Sequence, residues 1–218
     1  MKLGVLGGTF NPVHFAHLRQ AEELRESVEL DRVLLVPASE PALKHSGIAP
    51  AAHRLEMVRR AAASNPALEV DDLELRRAGP SYTVDTLRAL RERNPRAELW
   101  FLVGADTLPE LASWREPTRL FELANFAVAT RPGYAAGLRE LLPRALAASF
   151  RDTESGLVHA SGNELRAVPF TPLEISASDI RRRAARGESI RYLVPDEVRE
   201  YIAKHHLYRD EPEESEVD

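Results

Sequence analysis

An α/β fold, a doubly wound parallel sheet with helices on both faces, is predicted by three features of the sequence. Residues 3–6, 33–36, 99–103 and 126–129 are short apolar runs of the kind that form buried strands. Between them, apolar residues recur at three- and four-residue spacing with charges opposite, the mark of helices that cover a sheet. The order strand, helix, strand then repeats along the chain, which requires parallel strands with crossover connections.

The first strand, 3–6, runs into Gly7 and Gly8 and leads to a helix over 18–28. The strand at 33–36 is followed by helices over 53–63 and 82–93, and the strands at 99–103 and 126–129 by a helix over 138–147. A further strand is expected at 165–168, with a small C-terminal helical portion over about 176–186 and 195–205. No shift of composition and no internal repeat divides residues 1–208, so a single domain is expected. The end, "RDEPEESEVD" from residue 209 to 218, is acidic and almost without apolar residues, which predicts a disordered tail.

With 218 residues, 44% hydrophobic and 29% charged, the chain can bury a core large enough for a self-contained enzyme. The net charge of -5 lacks the basic excess that a nucleic-acid backbone demands, so no nucleic acid is expected as partner. There is no cysteine, which excludes disulfides, thiolate metal sites and cysteine nucleophiles. No signal-peptide core opens the chain and no apolar run approaches the ~20 residues of a membrane span, so a cytoplasmic protein without membrane contact is expected. The sequence leaves monomer and homodimer both open.

Chemistry concentrates in "LGGTFNPVHFAHL", residues 6–18. A strand ending in glycine and leading to a helix sets backbone amides and a helix N-terminus at the carboxyl edge of the sheet, where anions bind. Gly7 and Gly8 allow close approach to the main chain, and Thr9 adds a hydroxyl donor. The glycine spacing gives neither a dinucleotide fingerprint nor a P-loop, which weakens an oxidoreductase or P-loop reading. The plainer alternative is that Asn11 caps the helix and Pro12 takes its first position. His14 and His17 tilt the balance, because residues three apart share one helix face, here beside the anion site.

Two more stretches invite both readings. "ISASDIR" places Ser176 and Asp179 in a capping box, and its first turn aims Arg181 toward a helix N-terminus that attracts phosphate. Asp106 follows Gly104 at the end of a strand, where a carboxylate can either accept ribose hydroxyls or cap the next helix.

"GGTFNPVHFAHL" resembles the "GGTFDPVHxGH" signature of the nucleotidylyltransferase superfamily, and of bacterial nicotinate-nucleotide adenylyltransferases in particular. "GPSYTVDTL", "VGADTL", "SWREPTRLFELANFAVATRPGY" and "ISASDIRRR" resemble further family segments, in the family's order, from about residue 2 to 208. The resemblance implies a Rossmann-like fold and transfer of AMP from ATP, carried by Mg2+, to nicotinate mononucleotide. It implies catalytic roles for His14, His17, Lys44 and Arg181, and ATP contacts from Gly7, Gly8, Thr9, Phe10, His17, Gly104, Asp106, Ser176, Ser178 and Arg181. Thr83, Asp106, Trp114 and Arg131 would line the mononucleotide pocket, and no protein-only metal site is implied. Asn11 stands where the family usually has Asp, Ala16 where it has Gly, and Leu43 where it has His. The rival readings are an adenylyltransferase for nicotinamide mononucleotide or pantetheine phosphate, and a non-catalytic nucleotide-binding module.

Overall fold

Alternation within β1 (Lys2–Gly8) sends Leu3 and Val5 to one face of a sheet and Leu6 to the other. The computed structural model describes residues 1–41, 47–130 and 137–209, and every apolar run expected as a strand is one. These are β1, β2 (Arg32–Pro37), β6 (Glu98–Gly104), β7 (Asn125–Thr130) and β10 (Glu164–Pro169). Short strands accompany them: β3 (Glu40–Pro41), β4 (Leu68–Val70), β5 (Pro80–Ser81), β8 (Phe150–Thr153) and β9 (Gly156–His159).

The main sheet runs β4-β2-β1-β6-β7-β10-β9-β8, and the first six strands are parallel. β9 and β8 add an antiparallel hairpin at one edge, so the sheet is mixed rather than purely parallel. The hairpin escapes a sequence reading because its strands are only four residues long, β8 at the sheet edge reading FRDT and β9 alternating between half-buried and buried residues, so neither forms a continuous apolar run. Gly156 is required there: its φ is 144°, and a Cβ would collide with the Leu165 carbonyl oxygen.

Helices cover both faces, as expected. On one, α3 (Thr83–Arg93) and α4 (Pro117–Leu123) pack with Leu87, Leu90 and Phe121 against Leu3, Val5, Phe101 and Phe126. On the other, α1 (Phe15–Val28), α2 (Ala51–Ala62), α7 (Ala177–Ala185) and α8 (Asp196–Lys204) pack with Leu24, Met57, Ile180 and Val198 against Val33, Leu35, Trp100 and Leu102. The single helix expected over 138–147 is instead two turns, α5 (Leu138–Leu141) and α6 (Arg144–Ala147). Pro143 lies between them and cannot donate the backbone bond that would continue the first. A 3-10 segment, Ala105–Ser113, follows β6.

The carboxyl ends of the parallel strands come level: Gly8 pairs in register with Pro37, Gly104 with Ala129, and Thr130 with Pro169. Loops leaving this edge carry most of the residues singled out above. Leu43, Lys44, Arg131 and the acidic tail from residue 210 lie outside the described residues.

Candidate active site

β1 delivers Gly8 to the edge, and the chain turns there through Phe10, whose φ of 46° is an uncommon conformation for a bulky residue. The Phe10 ring is buried, and a Cβ on Gly8 would meet it at 3.1 Å. Gly8 therefore lacks a side chain for the sake of Phe10, while a Cβ on Gly7 would make only an ordinary contact with Phe101 at 3.8 Å.

Asn11 does not cap the helix; His14 does, and Pro12 precedes it across a cis Asn11-Pro12 bond. The Asn11 side chain instead ties three segments together. Its Nδ2 donates to the Gly47 carbonyl at 2.8 Å, and its Oδ1 accepts from the Ala49 N–H at 3.0 Å and the Tyr208 hydroxyl at 2.9 Å. Arg181, reaching from α7, donates to the Asn11 carbonyl at 2.9 Å. The first motif and the "ISASDIR" motif, 170 residues apart, thus meet directly.

His14 and His17 lie against each other, with ring centroids 3.7 Å apart and planes inclined by 20°. His17 Nδ1 accepts from the His14 N–H at 3.3 Å, so Nε2 is the ring nitrogen that carries a proton. His14 is only 5% exposed, and its Nδ1 has no hydrogen-bond partner among the described residues. Burial lowers its pKa to about 4, so it is neutral at pH 7. At α7, Ser176 caps as expected, accepting from the Asp179 N–H at 3.1 Å, with Ser178 Oγ 3.2 Å from Ser176 Oγ.

The second group of candidate residues sits on the opposite face of the sheet edge. β3 and β5 pair, and the Ser39 N–H donates to Ser81 Oγ at 2.9 Å, which draws the start of α3 with Thr83 to the loop after β2. Asp106 falls in the first turn of the 3-10 segment rather than at its cap, and its carboxylate covers the Cα of Gly104. Trp114 ends that segment with its half-buried ring edge-on to Phe101, centroids 6.2 Å apart. Arg115 lies over the Tyr82 ring at 4.9 Å and 3.6 Å from the Asp85 carboxylate.

A family model described as cytidylyltransferase-like matches residues 5–183. A probable nicotinate-nucleotide adenylyltransferase of Syntrophotalea carbinolica is 49% identical over 214 residues, 96% of this chain and 98% of that protein. One of Geotalea uraniireducens is 46% identical over 214 residues, covering 96% and 99%. The chain belongs to the nicotinate-nucleotide adenylyltransferase family. Its fold is that of the Plasmodium falciparum nicotinic acid mononucleotide adenylyltransferase complexed with NaAD, at a TM-score of 0.73 and 18% identity over 95% of this chain and 97% of that one.

In this adenylyltransferase, no helix among the described residues is long and apolar enough to cross a membrane. No group of three or more acidic or histidine side chains able to hold a metal occurs among the described residues. Sequence reasoning passed over Tyr208 and Arg54. Tyr208 carries no local motif, and burial raises its phenol pKa. Arg54 had a signal: with Met57, Val58 and Ala61 it stands on the apolar stripe of α2, where an arginine has to be buried and bonded.

Proposed function

We infer that the chain transfers the adenylyl group of ATP to nicotinate mononucleotide, giving nicotinate adenine dinucleotide and pyrophosphate. An oxygen of the mononucleotide phosphate attacks the α-phosphorus, and the bond from that phosphorus to the β-phosphate oxygen breaks, with the electron pair leaving on pyrophosphate. The attacking group is already an anion, so no side chain has to generate a nucleophile. What the protein contributes is alignment and neutralisation of charge on the leaving group.

His17 would donate from Nε2 to a phosphoryl oxygen, and neutral His14, stacked on its ring, would steady the same phosphate. Arg181 and Lys44 would hold the β- and γ-phosphates, and Ser176 and Ser178 would meet them at the start of α7. Gly7, Gly8, Thr9 and Phe10 would receive the nucleotide at the end of β1, and Gly104 with Asp106 its ribose. Thr83, Trp114 and Arg131 would line the acceptor pocket, the tryptophan ring offering a flat face to the pyridine. Mg-ATP is the substrate form, the ion sharing the charge of the triphosphate.

The observation that carries this reading is the stacked His14–His17 pair at the start of α1 together with Arg181, which comes from 170 residues along the chain to bond the Asn11 carbonyl just before that helix. Its test is His17→Ala. The variant should unfold in urea close to the wild type yet lose pyrophosphate release by at least roughly a hundredfold, the scale of one lost oxyanion donor. Near wild-type turnover would remove His17 from the mechanism.

A further inference from the structure

Arg54 stands in the first turns of α2, a place where arginines normally reach into water, yet it is 1% exposed. Its guanidinium spends its donors on main-chain carbonyls: Nε to Ala49 at 2.9 Å, Nη1 to Thr9 at 2.8 Å and Nη2 to Ser39 at 2.8 Å. These carbonyls belong to the entry of α2, the loop after β1 and the loop after β2. No carboxylate lies within ion-pair distance of Arg54 among the described residues. Burial works against its charge, with Glu74 and Tyr208 supporting it from farther off, but a guanidinium stays protonated in such surroundings.

A buried cation bonded to main-chain carbonyls, with no carboxylate at ion-pair distance among the described residues, is costly to keep for stability alone, since an apolar side chain of similar size would fill the space. Its geometry has a use at the cradle. In a trans peptide the C=O and the following N–H point opposite ways, so a Thr9 carbonyl turned in toward Arg54 turns the Phe10 N–H away from the guanidinium. The same holds for Ser39 and the N–H of Glu40. Carbonyl dipoles that would repel a polyphosphate are drawn inward, and a fixed positive charge lies beneath the loop that receives it.

We propose that Arg54 is a positioning residue for ATP: it fixes the loops after β1 and β2 with their carbonyls turned inward, and its buried charge is the counter-charge of the bound polyphosphate. This rests on the adenylyl-transfer reading above. Two substitutions in the full chain separate its parts: Arg54→Lys keeps the charge without the three-way fork, and Arg54→Gln keeps a donor without the charge.

Calorimetric titration with Mg-ATP, pyrophosphate-release kinetics and urea unfolding would be measured for both variants and the wild type. Arg54→Gln should weaken ATP binding and raise KM for ATP by roughly tenfold or more, with KM for nicotinate mononucleotide within about twofold. Arg54→Lys should recover part of that ATP affinity. Folded variants that bind ATP as the wild type does would overturn the proposal and leave Arg54 a stabilising residue only, as would equal rises in KM for both substrates. If only the lysine variant folds, wild-type ATP affinity in it overturns the role of the fork. A wild-type protein that binds ATP but releases no pyrophosphate would overturn the adenylyl-transfer reading while leaving Arg54's part in ATP binding to stand or fall by the titrations.

Discussion

The two sides of the sheet edge are built in different ways. The cradle side, where β1 meets α1 and α7, is a network of buried and partly buried hydrogen bonds: Asn11 binds Gly47, Ala49 and Tyr208, Arg181 binds the Asn11 carbonyl, and Arg54 binds Thr9, Ser39 and Ala49. On the side of α3 and the 3-10 segment, half-buried aromatic rings lean on the core, and the charges, such as Arg115 with Asp85 and Arg88 with Glu116, stay at the surface. A polyphosphate needs donors held at fixed positions, because misdirected dipoles repel it. A flat heterocycle needs mainly an apolar face, so that side can be built from rings and tolerate looser polar contacts.

The difference makes the cradle side the more sensitive to loss of a single polar group. The largest expected effect concerns pH. His14 is held neutral by burial, with its pKa lowered to about 4, whereas in the unfolded chain it titrates near the ordinary histidine value of 6.5. As pH falls from 6.5 toward 4 the unfolded chain takes up a proton that folded His14 refuses, so folded stability drops across that window by up to about 3 kcal/mol. Urea midpoints measured through the window should show this slope, and His14→Phe should flatten it; an unchanged slope would place the titrating group elsewhere.

Next in size is Asn11→Asp, which restores the residue that the family signature carries. Here the Nδ2 donation to Gly47 would be replaced by a carboxylate oxygen facing a carbonyl. Unfolding should become easier by about 2 kcal/mol in urea at pH 7, since a buried acceptor loses its donor. Unchanged stability would mean that the loop at Gly47 is not held by this bond.

The smallest effect belongs to the acceptor side. Trp114→Ala should cost only about 1–2 kcal/mol of stability, because the ring is half-buried against the core at Phe101. It should raise KM for nicotinate mononucleotide by roughly tenfold with KM for ATP within about twofold. A rise confined to ATP would exchange the assignments of the two sides.

What the sequence revealed follows the same division. The parallel strands β1, β2, β6 and β7 were legible because both faces are buried and each is a near-continuous apolar run, whereas β10 shows only the short stretch 165–168, in which Leu165 and Val168 are buried. The β8–β9 hairpin was not, since its four-residue strands carry no such run, and α5 and α6 were merged because helical spacing passed over Pro143. His14, His17, Ser176 and Arg181 stood out as local patterns at helix starts. Tyr208 did not, because its partner Asn11 is 197 residues away and nothing in the local sequence marks the pairing. Arg54 bonds to Thr9 from 45 residues away, and only its place on an apolar stripe hinted at burial.

Pyrophosphate release from Mg-ATP, measured side by side with nicotinate mononucleotide, nicotinamide mononucleotide and pantetheine phosphate, tests most directly that a triphosphate cradle and a pyridine pocket face each other across this edge. Release should be fastest with nicotinate mononucleotide and matched by formation of nicotinate adenine dinucleotide. ATP binding without pyrophosphate release from any of the three, or fastest release with pantetheine phosphate, would contradict it.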